Sequence, residues 1–177
     1  MSEQTAGFIS GSSAAKKIQW KASKAPARPK IGTITVSTVA SIIALLLLAA
    51  MTVFTNQQWL IPPMAASMAL VVGAPQLPLA QPRNVIGGQA ASALVGVLVG
   101  LMGDSIWLAA LAGGLALGVM MFLRMPHSPA AATAIIGVST GASWIFVLLA
   151  AGSALVLVLV GLIGNRANGV QYPVYVW

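Results

Sequence analysis

Four stretches of this chain, Gly32 to Thr55, Val85 to Met102, Ile106 to Leu123 and Trp144 to Ile163, run without a charged side chain. An α-helix rises about 1.5 Å per residue, so crossing about 30 Å of hydrocarbon takes roughly 20 apolar residues. All four stretches reach or approach that length. A water-soluble domain covers itself with about 25% charged residues, whereas this chain has 6% charged and 58% hydrophobic residues. Most of its surface is therefore expected to meet lipid. The length of 177 residues suits one domain, and the lack of cysteine excludes structural disulfides, thiolate zinc sites and iron-sulfur clusters.

The net charge of +7 resembles a nucleic-acid footprint until its position is considered. Lys16, Lys17, Lys21, Lys24, Arg28 and Lys30 all precede the first apolar run. Lys and Arg beside a membrane segment stay cytoplasmic and favour anionic headgroups, so the basic tail reads as a topology marker and no nucleic-acid partner is expected. Residues 1–30 are expected to form a disordered cytoplasmic tail with Trp20 at the headgroups. The tail is not read as a signal peptide, because the run it precedes is too long for an h-region and lacks a clear small-residue cleavage site.

Two further apolar stretches are short. Pro63 to Gly73 and Pro129 to Gly141 each open at a proline, which the first turn of a helix tolerates because its missing N–H had no partner there. They also match each other: Pro63, Ala65, Ala66 and Ser67 align with Pro129, Ala131, Ala132 and Thr133. Each is flanked by long helices. The expected fold is an all-α integral membrane protein of four long transmembrane helices and two short broken or re-entrant ones, arranged as two inverted repeats. The first repeat, 31–103, holds helices 32–55, 63–73 and 85–102. The second, 104–165, holds helices 106–123, 129–141 and 144–163. Residues 166–177 form a tail whose Tyr172, Tyr175 and Trp177 suit the interfacial belt. Paired short hydrophobic segments in two matching halves are a sequence pointer to a transport site.

If each short helix crosses together with the extended residues before it, a cytoplasmic N-terminus puts Arg83, Arg124 and Arg166 inside and Asp104 outside, as the positive-inside rule asks. Re-entrant short helices would move Arg83 and Arg124 outside. The expected location is the cell membrane, multi-pass. Gly88, Ser92, Gly96 and Gly100 recur every four residues, as do Ala110, Gly114 and Gly118, and both stripes suit close helix packing. Thr33, Ser37 and Ser41 line one face of the first helix. Self-association into a homo-oligomer is expected for so small a chain.

The string APQLPLAQPRNVIGGQAASALVGV from Ala74 to Val97, with HSPAAATAII from His127 to Ile136 and PPMAAS from Pro62 to Ser67, resembles the HPP family of integral membrane proteins. The likeness covers roughly Trp59 to Thr140, and Ser128 stands where the family's name has its middle proline. The resemblance implies an integral membrane protein of a family linked to nitrite transport in cyanobacteria and plastids.

The residues are compatible with passage of a small inorganic anion. Two short helices starting at Pro63 and Pro129 would turn positive ends toward the midplane. Ser67, Ser128 and Thr133 offer hydroxyl donors, no acidic residue lies in any expected span, and Gln81, Arg83, Asn84, Arg124 and His127 line the expected inner mouth. Each has a plainer reading. Arg83 and Arg124 would serve equally as interface anchors, Asn84 as a helix N-cap, Asp104 with Ser105 as the cap of the helix from Ile106, and His127 as a histidine bonded to backbone or as a proton-sensitive gate. No metal site and no cofactor are expected, no P-loop is present, and no carboxylate pair or nucleophile-base set suggests an enzyme. The rival readings are a carrier or channel for another small solute and a non-transporting membrane scaffold or sensor domain.

Overall fold

A computed structural model describes residues 26–176. The expectations for Trp20, most of the basic tail and Trp177 lie outside them. The described residues are all helical or irregular: α1 (Ile31–Thr55), α2 (Pro62–Gly73), a short 3₁₀ turn (Pro78–Ala80), α3 (Pro82–Gly100), α4 (Ile106–Phe122), α5 (Ala130–Ser139) and α6 (Ile145–Ala167).

Local chemistry sets the boundaries. α1 stops at Asn56, whose φ of 54° lies in the left-handed region that asparagine tolerates. α2 opens with Pro62 and Pro63, and α3 with Pro82, where a missing N–H removes no helical bond. The expected starts shift accordingly. α3 begins at Pro82 rather than Val85, which takes Arg83 and Asn84 into its first turn. Pro129 is the residue before α5 rather than its first, and α6 continues past Ile163 to include Asn165 and Arg166. Asn84 is not an N-cap. Ser105 caps α4, its hydroxyl accepting from the Leu108 N–H at 3.3 Å, so Asp104 is not the capping side chain.

Among the described residues two helices, α1 and α6, are long and apolar enough to cross a membrane on length and composition. α4 is shorter, at 17 residues, and α3, at 19, carries Arg83, Asn84, Gln89 and Ser92. The four long apolar helices expected are thus two clear ones and two weaker ones.

The packing is built on α3 against α6. α1 lies on α2 and α6, α4 lies on α5 and α3, α2 packs on α6, α5 packs on α3, and α2 touches α5. This pattern is unchanged when α1, α2 and α3 are exchanged with α4, α5 and α6. Successive helices reverse direction. The Ser37 hydroxyl near the start of α1 donates to the Val72 carbonyl at the end of α2 and accepts from Asn168 after α6. The start of α3 meets the end of α4, where Arg83 reaches the Leu123 carbonyl at 3.4 Å. Lys30, Arg83, Arg124 and Arg166 therefore share one end of the bundle. At the other end Asn56, Gln57 and Gln58 line an open hollow of about 250 Å³ with Thr140, Ser143 and Phe146.

Side chains are distributed with their polarity inverted. Leu46, Phe54, Trp107, Leu117, Phe122, Leu148 and Ile163 are exposed, while Ser67, Gln81, Asn84, Gln89, Ser92, His127, Thr133, Ser153 and Asn165 are buried. A monomer in water rarely exposes so continuous an apolar surface. Small residues make the interior tight: a Cβ on Gly96 would come within 2.6 Å of the Ala134 carbonyl oxygen, and α3 and α5 meet at Gly96 and Gly137. By contrast nothing lies within 4 Å of a Cβ placed on Gly114 or Gly118, so the second small-residue stripe faces outward.

Candidate functional site

Four polar side chains meet where the two short helices approach each other. Ser67 lies in the second turn of α2 and Thr133 in the first turn of α5, the two positions paired by the internal match. Gln89 of α3 bridges them: its amide nitrogen donates to the Ser67 hydroxyl at 2.9 Å, and its oxygen accepts from the Thr133 hydroxyl. His127, on the connection into α5, completes the cluster with Nε2 at 2.8 Å from the Ser67 oxygen. All four are 0% exposed. Helix periodicity explains the convergence only in part, because Ser67 and Gln89 come together through the packing of four separate segments.

The second nitrogen of His127 fixes the ring. Nδ1 lies 2.7 Å from the Leu79 carbonyl, which can only accept, so Nδ1 carries a hydrogen. Close packing makes room for this connection: a Cβ on Gly88 would stand 2.7 Å from the His127 Cβ and 3.1 Å from the Met125 carbonyl oxygen. Ser67 also has the Pro63 carbonyl at 2.9 Å, one turn back in its own helix. Ser92 follows Gln89 by three residues on the same face of α3, is 0% exposed, and its hydroxyl has no partner among the described residues.

The expected site residues divide. Ser67, His127 and Thr133 come together in the cluster. Gln81 and Asn84 are buried elsewhere, as struts. The Gln81 amide donates to the Pro75 and Leu77 carbonyls at 2.8 and 2.9 Å and its oxygen accepts from the Val174 N–H at 2.8 Å. Asn84 donates to the Pro78 carbonyl at 2.7 Å and reaches the Tyr175 hydroxyl at 3.3 Å. Arg83 is half-buried, while Arg124 and Ser128 are exposed at the same end of the bundle. Arg124 adopts a φ of 57° where the chain turns out of α4.

The helix ends contribute less than their prolines suggest. Pro62 and Pro63 have no N–H to offer, and the N–H groups of Ala130, Ala131 and Ala132 bond to the carbonyls of His127, Ser128 and Pro129. The site's donors are its side chains. Gln89 was not singled out by the sequence. The available signal was a long polar side chain inside a run of small and apolar residues, where burial in a membrane protein calls for a partner. Tyr172 also departs from the interfacial belt: it is buried, and its hydroxyl donates to the Ala80 carbonyl at 2.9 Å. Burial pushes its phenol well above the usual tyrosine range.

The chain matches the family model for the HPP transmembrane region over residues 26–173. A transmembrane protein of Dictyostelium discoideum is 37% identical over 175 residues, covering 90% of this chain and 56% of that protein. A second transmembrane protein of the same organism is 36% identical over 133 residues, covering 69% of this chain and 47% of its own length. The chain thus spans about half the length of the curated relatives it matches. No solved structure matches it.

Proposed function

Because the chain belongs to the HPP family of membrane proteins, we propose that it moves a small inorganic anion, nitrite foremost, across the bilayer through the centre marked by Ser67, Gln89, His127 and Thr133. The observation that carries this reading is a fully buried, acid-free cluster of hydroxyl, amide and imidazole groups between two short helices. Buried polar groups are costly unless paired, and a protein surrounded by lipid has little structural need to concentrate four of them at one point. Groups that can donate, with no carboxylate beside them, suit an anion better than a cation. Arg83 and Arg124 at one end would raise the anion's local concentration. Gln81 and Asn84, which the residue pattern assigned to the pathway, are better read as supports of the connection before α3.

The same proposal includes two inverted repeats, α1 to α3 and α4 to α6, with each short helix crossing rather than re-entering. The exchangeable contact pattern and the reversal of direction at each helix support it. The proposal includes a cytoplasmic N-terminus in the cell membrane, and the shared end of Lys30, Arg83, Arg124 and Arg166 supports that orientation. Transport rather than catalysis is the reading, driven by a gradient, without cofactor, metal or nucleic acid. Two copies associate through the outward stripe of α4.

Uptake of nitrite, nitrate and chloride into proteoliposomes tests it. Saturable, selective nitrite entry above empty vesicles is the expected result. A scaffold or sensor role is the second reading, favoured by the completeness of the cluster's hydrogen bonds. Correctly inserted protein that carries no ion or neutral solute would establish the scaffold reading over transport.

A further inference from the structure

This inference rests on the transport reading and concerns what crosses with the anion. His127 is the sole histidine of the chain. Its Nδ1–H is committed to the Leu79 carbonyl, so its charge is decided at Nε2. Ser67 faces Nε2 with one proton and two acceptors within reach, Nε2 itself at 2.8 Å and the Pro63 carbonyl at 2.9 Å. When the imidazole is neutral, the Ser67 hydroxyl donates to Nε2 and accepts from Gln89. When Nε2 is protonated, it donates to the Ser67 oxygen, and the Ser67 proton turns to the Pro63 carbonyl. A hydroxyl oxygen has two acceptor positions, so the bond from Gln89 persists in both states. Both charge states of His127 are therefore fully hydrogen-bonded with no heavy atom displaced. The difference is the rotation of one hydroxyl.

Net charge is then the obstacle. The elements packed around His127 bring Arg83 from α3, Arg124 from its own connection, Arg166 from α6, and Tyr172 and Tyr175 from the C-terminal segment; α2, the 3₁₀ turn and α5 contain no titratable side chain. The chain has two acidic residues, Glu3 in the tail and Asp104 beside the cap of α4 at the far end. Nothing acidic among the described residues is placed to balance an imidazolium at the centre. A buried lone cation is costly, and so is a buried lone anion. Together they neutralise each other.

We propose that His127 takes up a proton at Nε2 together with the transported anion, so that one proton and one anion enter the centre and cross as a neutral pair. The proton adds to the Nε2 lone pair as the anion arrives and returns to solution as the anion leaves. No covalent bond to the anion forms. Ser92, buried on the same face of α3 as Gln89 with its hydroxyl uncommitted, supplies a further donor.

A single histidine makes the test direct. The protonated fraction of His127 is followed by 15N NMR on histidine-labelled, full-length protein in nanodiscs, with sodium nitrite or sodium chloride at equal ionic strength. Nitrite is expected to raise the protonated fraction at fixed pH. By reciprocity, apparent nitrite affinity rises about tenfold for each unit of acidification on the alkaline side of the titration. Identical titrations in nitrite and chloride would overturn the proposal. In proteoliposomes, with empty-vesicle leakage subtracted, an inward proton gradient should accelerate nitrite uptake and membrane potential should leave it unchanged, and His127→Gln should abolish the gradient effect. Nitrite flux that follows membrane potential and ignores the proton gradient would overturn proton coupling while leaving transport intact. Absence of flux with the nitrite-linked protonation preserved would overturn transport and leave the proton-anion site. The NMR arm uses the unaltered chain, so it decides even if the variant fails to fold.

Discussion

At the junction around α2, Ile61 leads into the short helix, and Ala154 of α6 lies on the long helix that covers it. At the matching junction around α5 stand His127, which leads into that short helix, and Gln89 of α3, the long helix that covers it. The correspondence follows from contacts. Ser67 pairs with Thr133, which places Val71 opposite Gly137. Gly161 of α6 packs on Val71 as Gly96 of α3 packs on Gly137. Counting back along each helix brings Ala154 to Gln89 and Ile61 to His127. Ile61 and Ala154 are buried among apolar neighbours, whereas His127 and Gln89 are buried among polar ones. The same helix packing thus accepts an apolar and a polar version of one junction. The polar junction reaches across and takes Ser67 from the apolar one, so the chemistry is asymmetric on a framework whose contacts are not.

The largest effect that could break this comparison lies at the paired glycines. A Cβ on Gly96 would meet only backbone, the Ala134 oxygen at 2.6 Å and its Cα at 2.9 Å, and neither can turn aside. Gly96→Ala should cost about 3 kcal/mol or more, lost as folded, monodisperse protein on size exclusion after heating. A Cβ on Gly161 would meet the Val71 side chain, which has other rotamers, so Gly161→Ala should cost about 1 to 2 kcal/mol. Equal losses at the two sites would mean that the halves do not share this contact.

Next in size is Gln89→Leu. It leaves the Ser67 and Thr133 hydroxyls to turn back to carbonyls in their own helices, at a cost of about 1 to 3 kcal/mol, and should reduce nitrite uptake at least about tenfold. The matching Ala154→Ser should cost less in thermal stability and leave uptake near wild type, since a serine can bond to the carbonyl four residues earlier. A similar uptake loss in both variants would place the pathway at both junctions rather than at the polar one.

Much of this arrangement was legible in the residues. The six helices lie near the charge-free runs and prolines, because the lipid-length requirement and the missing proline N–H are local rules, but α3 and α6 extend past those runs to take in Arg83 and Arg166. The match of Ser67 with Thr133 already paired the residues that Gln89 joins. Gln89 itself was hidden, since its role depends on α2, α3 and α5 meeting, a contact that no spacing encodes. The supporting bonds of Gln81 and Asn84 were hidden for a similar reason. Both residues sit within the Ala74 to Val97 string that carries the family resemblance, yet their partners include Val174 and Tyr175, contributed by a tail more than 90 residues away in the chain. The two glycine stripes looked alike in sequence, and only packing separates the inward one from the outward one.

That tail marks a second difference between the halves, and a smaller effect tests it. The connection from α2 to α3 is latched by Tyr172 on the Ala80 carbonyl, Gln76 on the Gln171 carbonyl at 2.7 Å and Gln81 on Val174. The residues between α5 and α6 have no counterpart to this latch among the described hydrogen bonds. Tyr172→Phe should cost about 1 kcal/mol in detergent unfolding. The burial that raises the phenol's pKa also sets a pH limit. The unfolded chain begins to release this proton near the ordinary tyrosine pKa of about 10 while the folded chain retains it, so stability is full below that pH and declines above it. The decline should be smaller in Tyr172→Phe.

The smallest effect on the fold, and the sharpest test of the outward stripe, comes from Gly114→Ala and Gly118→Ala. Both positions are exposed, and no neighbour lies within 4 Å of the added methyl. Alanine is the better helix former by about 0.8 to 1.0 kcal/mol in water, so monomer stability should hold or rise slightly, opposite in sign to Gly96→Ala. If α4 packs against its copy in a dimer, the added methyls separate the backbones and the monomer fraction should rise in light scattering at matched detergent-to-protein ratio. Unchanged dimer with unchanged stability would assign self-association to another face. Loss of stability in these variants would instead mean that α4 is covered from within the chain, against the contrast between its stripe and that of α3.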